Sequence, residues 1–346
     1  MEIWENTPIS ALTTMRLGGN ARYSIAITNE KDLLDAYRFA REQGLPTYVL
    51  GGGSNVVGKD AGFRGVVLLN QLTGIEVLDE QDSEITLRVG SGEDLDALVD
   101  YAVQRGWCGV EALAAIPGTV GGAVMQNAGA YGQEIAQVLL GVDAYDTQSN
   151  TQREEFVHLP VDDLELCYRS SIFNSVAPGS AKGRYFITAA VVRLHRREIQ
   201  GDLYGSLQAY LSEHAITNCR PQTICDAVTA IRGAKLPDPE TTASSGSFFK
   251  NITVEESQIE SLRERYPGIP IYLIGSCWEI ASGWLVEQAG LKGQLINGMR
   301  VSDKAALILI NESAGGYGDL AAAREAIIAA VKERFGFTLQ QEPEEM

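Results

Sequence analysis

The sequence is poor in the residue types that bind transition metals or carry redox chemistry. It contains 3 histidines and 5 cysteines among 346 residues. The cysteines are scattered, and none forms the C-x-x-C pair that holds zinc, an iron–sulfur cluster or a redox-active disulfide. We therefore expect no metal site, and we expect the cysteines to remain thiols, as they do in a reducing compartment.

Long apolar runs are also missing. The first residues, MEIWENTPISALTTMRLGG, lack the apolar segment of a secretory signal. No later stretch approaches the roughly 18 apolar residues that a membrane-spanning helix requires. The expected location is therefore the cytoplasm, and we expect no membrane partner.

Positive charge is scarce in this chain. Lys and Arg number 28 against 45 Asp and Glu, so the formal net charge is -17 at pH 7. Proteins that bind nucleic acid or an anionic membrane carry a positive patch. The composition therefore predicts no nucleic-acid partner, and an anionic ligand would need a locally basic pocket.

The length and the apolar pattern indicate more than one domain. A chain of 346 residues exceeds what a single hydrophobic core usually holds. The first half mixes the helical and the strand periodicity and is predicted to be α+β. Its predicted elements are a helix at 30–43 and strands at 47–51, 65–70 and 84–90. After a boundary near residue 217, a separate α/β unit is predicted, with a strand at 305–312 and a terminal helix that ends at Gly336.

A first glycine-rich loop, GGGSNVVGKD at 51–60, follows a predicted strand. Consecutive glycines let backbone N–H groups point together at a phosphate. The loop nearly matches a P-loop, but Asp60 stands where a Ser or Thr should bind magnesium. It also departs from the G-x-G-x-x-G dinucleotide fingerprint, because Val56 occupies the third glycine position. Taken alone, the loop is equally compatible with an ordinary turn.

A second loop, IPGTVGGAVMQNAGAYG at 116–132, is richer in glycine than a turn requires. Such a density indicates that the backbone approaches something closely. Two such loops in one α+β half predict a dinucleotide cofactor whose pyrophosphate is bound by main-chain amides. That solution is compatible with an acidic protein.

Six sequence blocks, in order over nearly the whole chain, carry a family resemblance. They are GGGSN (51–55), PGTVGGAVMQNAGAYG (117–132), YRSSIF (168–173), KLPDP (235–239), GSFFKN (246–251) and EPE (342–344). Together they resemble the UDP-N-acetylenolpyruvoylglucosamine reductase family. No single block is specific, but six in this order make chance similarity a poor explanation.

The resemblance implies an α+β fold with an FAD-binding domain of the vanillyl-alcohol oxidase type. That domain would span 1–216 in two lobes, about 1–70 and 71–216, and would be followed by a smaller α/β substrate-binding domain at 217–346, whose tail returns to the active site. The implied reaction is the NADPH-dependent, FAD-mediated reduction of UDP-N-acetylglucosamine enolpyruvate to UDP-N-acetylmuramate in peptidoglycan precursor synthesis. FAD would be bound non-covalently, NADPH would donate the hydride, and a monomer is expected.

Three catalytic residues follow from matching positions of the family. Ser247 in GSFFKN would donate a proton to the substrate enolate, and Arg169 in YRSSIF would stabilise its negative charge. Glu342 would orient the arginine or assist proton transfer. Pro343 disfavours helix at Glu342, so the chain is predicted to run back in an extended conformation, whereas Glu345 is expected to be generic tail charge.

The remaining predicted site residues fall into two groups. The cofactor-binding group is Gly51, Gly52, Gly53, Ser54, Asn55, Pro117, Gly118, Thr119, Gly121, Gly122, Asn127, Gly129 and Ala130. The substrate-binding group is Tyr131, Tyr204, Arg232, Lys235 and Asn251. Tyr204 could be a lid residue or an ordinary core tyrosine, Ser247 could be a turn hydroxyl, and Arg169 could belong to a structural ion pair.

Two alternatives and two departures remain open. The chain could be another flavoenzyme of the same fold, such as an alcohol oxidase, because the fold does not determine the substrate. It could also be a nucleotide-sugar-binding regulator that has lost the chemistry, although Ser247, Arg169 and Glu342 argue against that. The departures are Ile252, where the family usually has proline, and Trp278–Glu279, where a lysine-bearing segment is common.

Overall fold

The structure is a computed structural model that describes residues 1–148, 155–177, 180–196, 204–274 and 277–346. The chain forms two compact units. The first unit consists of Met1–Thr7, Ala21–Gly52 and Arg64–Ala234. The second consists of Pro8–Asn20, Gly53–Phe63 and Lys235–Met346.

Strands and helices alternate along the described chain. The helices are α1 (Glu30–Glu42), α2 (Leu95–Gln104), α3 (Val120–Met125), α4 (Gly205–Glu213), α5 (Pro221–Lys235), α6 (Ile259–Arg265), α7 (Ser282–Gln288) and α8 (Tyr317–Phe335). The strands are β1 (Ile3–Pro8), β2 (Asn20–Ile27), β3 (Thr47–Leu50), β4 (Val56–Val57), β5 (Phe63–Asn70), β6 (Ile75–Glu80), β7 (Glu84–Gly90), β8 (Gly129–Ala130), β9 (Gln133–Glu134), β10 (Leu139–Asp146), β11 (Glu155–Pro160), β12 (Tyr185–His195), β13 (Ser244–Ser247), β14 (Ile252–Val254), β15 (Ile271–Ile274), β16 (Cys277–Ile280), β17 (Leu295–Ile296), β18 (Met299–Val301), β19 (Ile308–Asn311) and β20 (Glu344–Glu345). The predicted α+β class is confirmed.

The first unit contains two larger sheets. One has the strand order β1-β2-β5-β3, with β3 and β5 parallel, and α1 contributes Leu33, Ala36 and Ala40 to the same core. The helix begins where the predicted periodicity begins, because the Asn29 side chain accepts a hydrogen bond from the Asp32 amide at 2.9 Å. The other sheet has the order β11-β10-β12-β7-β6, and its β10–β12 and β12–β7 pairs are antiparallel.

The first unit extends further along the chain than the apolar pattern predicts. Ile224, Val228 and Ile231 of α5 are buried in the same core as Leu98 of α2 and Val192 of β12. The unit therefore ends at Ala234, and the predicted ranges 1–216 and 217–346 differ from the observed units. The apolar face of α5 indicates that the helix is packed, but it does not indicate which core covers it.

The second unit contains the sheet β13-β19-β18-β17 and the smaller sheet β14-β16-β15. Leu320, Ile327 and Val331 of α8 are fully buried in its core. Two short segments from early in the chain complete this core, since Met15 and Val57 are also fully buried in it. The C-terminal part of the chain therefore shares its core with residues far away in sequence.

Most predicted elements have the expected position. The strand at 84–90 matches β7, and the terminal helix ends at Gly336, whose φ of 81° is the left-handed cap that favours glycine. The strand predicted at 305–312 is shorter than expected. Its first residues form a turn in which the Ala305 carbonyl accepts a hydrogen bond from the Ile308 amide at 3.0 Å. None of the helices described here is both long and apolar enough to cross a membrane.

Candidate active site

The two glycine-rich loops meet within the first unit. A Cβ atom on Gly51 would lie 2.5 Å from the Thr119 hydroxyl oxygen. A Cβ atom on Gly52 would lie 3.0 Å from the Cα of Gly118. Any larger residue would push the loops apart, so the close approach explains why glycine is required at both positions. The two loops therefore lie against each other at Gly51, Gly52, Gly118 and Thr119.

The second loop is anchored to the rest of the first unit by its main chain. The Gly121 amide donates to the Ser91 carbonyl at 2.8 Å, and the Gly118 carbonyl accepts from the Leu95 amide at 3.0 Å. Thr119 caps α3 by accepting from the Gly122 amide at 3.3 Å. Pro117 precedes Gly118, whose φ of 128° few residues other than glycine adopt. The loop is thus held rigidly, as a main-chain binding site requires.

The rest of the first loop belongs to the second unit. Gly53 has a φ of 66°, and a Cβ there would collide with the Leu12 carbonyl oxygen. The carbonyl oxygen of Gly53 accepts from the Thr14 amide at 3.1 Å. The Ser54 carbonyl accepts from the Thr14 hydroxyl at 3.4 Å, and the Asn55 carbonyl accepts from the Glu344 amide at 3.0 Å. The carbonyls of this segment are therefore engaged with protein.

Tyr131 lies at the tip of a tight hairpin in the first unit. Strands β8 and β9 pair Gly129 with Glu134, and the two turn residues between them, Tyr131 and Gly132, have φ values of 50° and 86°. Positive φ at both central residues is typical of a type I′ turn, but tyrosine is unusual there. Strained residues of this kind cluster at functional sites. The Tyr131 ring packs edge-on against Tyr204, with 5.8 Å between centroids.

Arg169 lies in a second strained turn of the same unit. Cys167 and Ser170 exchange backbone hydrogen bonds of 3.0 and 3.1 Å, and Arg169 between them has a φ of 52°. Its guanidinium Nη2 donates to the Gly129 carbonyl at 3.1 Å. The structure therefore brings the predicted catalytic arginine to the hairpin that carries Tyr131.

Asn127 connects these two turns. Its side chain, 1 % exposed, donates to Glu134 Oε2 at 2.9 Å and to the Cys167 carbonyl at 3.2 Å, and it accepts from the Ala136 amide at 3.2 Å. A side chain with these three protein partners holds the hairpin and the Arg169 turn together. The sequence predicts Asn127 as a cofactor-binding residue, and its position within a glycine-rich loop does not distinguish that role from a structural one.

A further residue of this region carried no sequence signal. Glu111 is 1 % exposed, and its carboxylate accepts from the Gly109 amide and the Gln133 side chain, both at 2.6 Å. Gln133 also accepts from the Ala112 amide at 2.8 Å. Because Gln133 lies in β9, this chain of bonds fixes the base of the hairpin. Ala130, in β8, pairs directly with Gln133.

Arg232 places a second cation near Arg169. Its Nε donates to the Ala115 carbonyl at 3.1 Å. Burial lowers the pKa of Arg232. The charges of Tyr131 and Asp96 oppose that shift, and the positive charge of Arg169 adds to it. Burial also raises the pKa of Tyr131, against the effect of Arg232. A desolvated guanidinium that is also repelled by a second positive charge favours a bound anion.

Ser247 lies at a bulge in the second unit. Strand β13 pairs Ser244 with Ile310 and Ser247 with Ile308, so β13 contains one more residue than β19 between these pairs. Gly246 absorbs the extra residue with a φ of 69°. Bulges redirect the following side chain and are common beside active sites. The glycine before Ser247 thus has a defined conformational role.

The segment containing Glu342 pairs with the residues that follow Ser247. The Glu342 amide donates to the Phe248 carbonyl at 2.9 Å, and the Lys250 amide donates to the Gln340 carbonyl at 2.8 Å. A bridge pairs Phe249 with Gln341. Two of the three predicted catalytic residues, Ser247 and Glu342, therefore lie on neighbouring segments of the second unit, whereas Arg169 belongs to the first.

The predicted substrate residues of the second unit have different environments. Lys235 is exposed at the end of α5. The Asn251 side chain donates through Nδ2 to Glu279 Oε2 at 3.1 Å and accepts through Oδ1 from the Ser282 backbone amide at 3.2 Å. Glu279, one of the departures from the family pattern, is 1 % exposed, and Ile252 begins β14. The departure therefore lies in direct contact with a predicted substrate residue.

Loops that approach each other through glycine main chain, beside a buried arginine, are typical of the class of proteins that binds an anionic nucleotide cofactor. Two family models match the chain. The model described as FAD binding domain matches residues 21–153. The model described as UDP-N-acetylenolpyruvoylglucosamine reductase, C-terminal domain, matches residues 238–346.

Curated relatives identify the family. The UDP-N-acetylenolpyruvoylglucosamine reductase of Burkholderia cenocepacia (strain HI2424) is 36% identical over 342 residues, which is 97% of this chain and 95% of the relative. That of Alcanivorax borkumensis is 33% identical over 339 residues, 98% of this chain and 95% of the relative. This chain belongs to the UDP-N-acetylenolpyruvoylglucosamine reductase family.

A solved structure shares the fold. The UDP-N-acetylenolpyruvylglucosamine reductase of Thermus caldophilus matches with a TM-score of 0.62 and 23% identity, over 99% of this chain and 98% of that chain. The predicted FAD-binding domain with a C-terminal family domain is thereby confirmed as the fold.

Proposed function

We propose that this chain uses FAD and NADPH to reduce UDP-N-acetylglucosamine enolpyruvate to UDP-N-acetylmuramate in peptidoglycan precursor synthesis. Family membership supports this reaction. The structural observation that carries the proposal is the pairing of the Glu342 segment with the segment that follows Ser247. A weak acid and a carboxylate on adjacent segments are the groups that protonation of an enolate requires.

The residues present fit FAD. Gly51, Gly52 and Gly118 leave no room for side chains between the loops, and the anchored main chain near Thr119 would hold the pyrophosphate. FAD, when bound, supplies hydride-transfer chemistry. The chain's own residues must then bind the substrate, stabilise negative charge and deliver a proton.

In this proposal Arg169, Ser247 and Glu342 have different roles, which follow from their charges and acidities. Arg169 holds the substrate carboxylate, where the charge of the enolate spreads after hydride has added to C3. Ser247 donates its hydroxyl proton to C2, which completes the saturated lactyl ether. Glu342 orients the arginine or assists the proton transfer, because a serine hydroxyl alone is a weak acid, and solvent replaces the proton that the serine loses. Tyr131, Tyr204, Arg232, Lys235 and Asn251 contact the UDP-sugar in this proposal.

The surroundings of the reaction are part of the same proposal. The enzyme acts in the cytoplasm as a monomer, without nucleic-acid or membrane partners. The formal net charge of -17 supports the absence of polyanionic partners. Sedimentation of purified protein measures the monomer directly, and a dimer would contradict that part of the proposal.

The visible spectrum of the purified protein tests the proposed reaction. A yellow flavin band should bleach when NADPH is added without oxygen, and it should return when the enolpyruvyl substrate is added. NADH in place of NADPH tests the choice of nicotinamide. FAD should appear in the supernatant after denaturation, because the flavin is bound non-covalently. This function would be excluded if the protein bound no FAD, or if the enolpyruvyl substrate did not reoxidise the reduced flavin.

A further inference from the structure

Glu345 is not the generic tail charge that the sequence suggests. Its carboxylate accepts hydrogen bonds from the Tyr317 hydroxyl at 2.5 Å and from Arg324 at 2.7 Å, and it forms an ion pair with Lys59 at 2.9 Å. We call Glu345, Tyr317, Arg324 and Lys59 the tail clamp. All four belong to the second unit.

The main chain reinforces the tail clamp. Strand β20 pairs in parallel with β4, with Glu344 opposite Val56 and Glu345 opposite Val57. The Met346 amide donates to the Val57 carbonyl at 2.9 Å, and the Lys59 amide donates to Met346 at 2.8 Å. Side chain and backbone therefore hold the same few residues in one register.

Arg324 contacts the tail on both sides of Glu342. Its Nη1 donates to Gln341 Oε1 at 2.8 Å and to Glu345 Oε1 at 2.7 Å. Gln341 in turn donates to the Pro343 carbonyl at 2.7 Å. The residues before and after Glu342 are thus tied to one guanidinium, which restricts the backbone of Glu342 itself.

The near match to a P-loop supplies the other half of the tail clamp. Lys59, which would contact phosphate in a P-loop, is paired with Glu345. Asp60 accepts from the amides of Tyr317 and Gly318 at 2.7 and 3.1 Å and so caps α8. The GKD sequence therefore fastens the tail and the helix that carries Tyr317 and Arg324.

The electrostatics agree with this geometry. Burial alone would raise the pKa of Glu345, but hydrogen bonds from Tyr317, Lys59 and Arg324 outweigh it and lower the pKa to about 2. Glu345 therefore stays ionised at any physiological pH and keeps its partners. A charged group with three donors is expensive to disturb, because removing it leaves Lys59 and Arg324 without their shared anion.

We propose that Glu345 is a positioning residue for the reduction: the tail clamp holds Glu342 beside the Ser247 segment. The same tail strand also reaches the first glycine loop, because the Glu344 amide donates to the Asn55 carbonyl. This inference rests on the proposed function, in which Glu342 takes part in protonation. Glu345 itself touches no substrate and acts through the register of residues 341–346.

Glu345→Gln tests the proposal, with Glu333→Gln as the matched control. Glu333 is exposed on α8, and its substitution changes the net charge equally. In anaerobic stopped-flow, Glu345→Gln should reduce flavin with NADPH at the wild-type rate but slow reoxidation by substrate by about tenfold or more, because small misplacements of catalytic groups cost that much. Glu333→Gln should leave both rates unchanged.

Hydrogen exchange gives a readout that does not depend on the reaction. The amides of Glu342, Glu344 and Met346 should exchange faster in Glu345→Gln than in wild type or Glu333→Gln. Wild-type protein that fails with the enolpyruvyl substrate contradicts the proposed function, whereas unchanged exchange contradicts the tail clamp itself. The two failures are therefore distinguishable.

Besides unchanged exchange, three results would overturn the positioning role. The first is reoxidation at the wild-type rate in Glu345→Gln. The second is loss of FAD content and of both half-reactions together, which would mean that Glu345 only maintains the fold. If Glu345→Gln does not fold, Tyr317→Phe removes one donor from the carboxylate, and wild-type reoxidation in that variant would be the third.

Discussion

The Arg169 guanidinium donates a hydrogen bond to the carbonyl oxygen of Gly129 at 3.1 Å. The bond joins a turn in which Arg169 has a positive φ to a hairpin in which Tyr131 has one. Each of these strained non-glycine residues costs roughly 1–3 kcal/mol and persists only where its surroundings impose the conformation. Their pairing therefore indicates a site shaped for binding.

Arg169→Lys should fail to restore activity although it keeps the positive charge. An ammonium cannot bond a carboxylate and the Gly129 carbonyl with the planar geometry of a guanidinium. Turnover should fall by about 100-fold, the scale of losing one oriented charge donor. Arg220→Lys, an exposed site near α5, is the control. Near-normal turnover in Arg169→Lys would reduce Arg169 to a general electrostatic role.

Ser247→Ala should leave FAD binding and flavin reduction by NADPH intact and slow only the reoxidation by substrate. Only the second half-reaction consumes a proton, and loss of a general acid typically costs about 10²–10⁴-fold. Stopped-flow absorbance measures both steps. Ser313→Ala, at an exposed serine of the same unit, should behave as wild type. Normal reoxidation in Ser247→Ala would remove the serine from the mechanism.

Glu342→Gln and truncation after Gln340 should both abolish reductase turnover, for different reasons. The substitution removes a carboxylate but keeps the tail clamp, so the amide of residue 344 should stay protected from exchange. Truncation removes Glu342 together with β20 and should also expose Val57. Wild-type turnover in the truncated protein would show that the tail has no part in catalysis.

Asn127→Asp should be more harmful than Asn127→Ala at neutral pH. Alanine leaves the Cys167 carbonyl and Glu134 without their donor, which costs about 1–3 kcal/mol in a buried site. Aspartate adds a negative charge opposite the Glu134 carboxylate, where the amide now donates at 2.9 Å. Urea unfolding at pH 7 and pH 5 should show the aspartate variant recovering at the lower pH. Equal stability of both variants with wild type would contradict the tie.

The stability contributed by Glu345 should depend on pH in a defined direction. Its pKa is about 2 in the folded protein against an ordinary value of 4.5. A carboxyl group whose pKa is lower in the folded than in the unfolded protein stabilises the fold at pH values above its unfolded pKa. That stability is lost as the pH falls from 4.5 toward 2. The difference in unfolding free energy between wild type and Glu345→Gln should therefore shrink between pH 6 and pH 3. A constant difference would contradict the shift.

Local periodicity predicts the regular elements better than it predicts their partners. The apolar spacing in 30–43 contains the information for α1, because one buried face follows from one stripe of residues. The two-residue strands β4 and β20 have no such pattern, and only tertiary contacts pair them. The same limitation applies to α5, whose stripe does not identify its core.

Motifs predict candidate site residues, but they do not predict the residues that support them. The glycine loops and Arg169 carry local signals, and the structure gives each a geometric reason. Glu111 and Glu345 carry none, because a buried carboxylate and a solvated one look alike in sequence. Asp60 is incompatible with a P-loop by its residue type, and the structure shows that its carboxylate instead caps α8.

The interleaved segments of the two units limit how this gene could be recombined. The range Lys235–Met346 does not include Met15 and Val57, which complete its core. A fragment that contains only Lys235–Met346 would therefore expose apolar surface. A chimera with a relative that exchanged only the last third of the chain would combine a core from two parents. Segments 8–20 and 53–63 would have to be exchanged with it, so the C-terminal domain is inherited as a discontinuous set rather than as a single cassette.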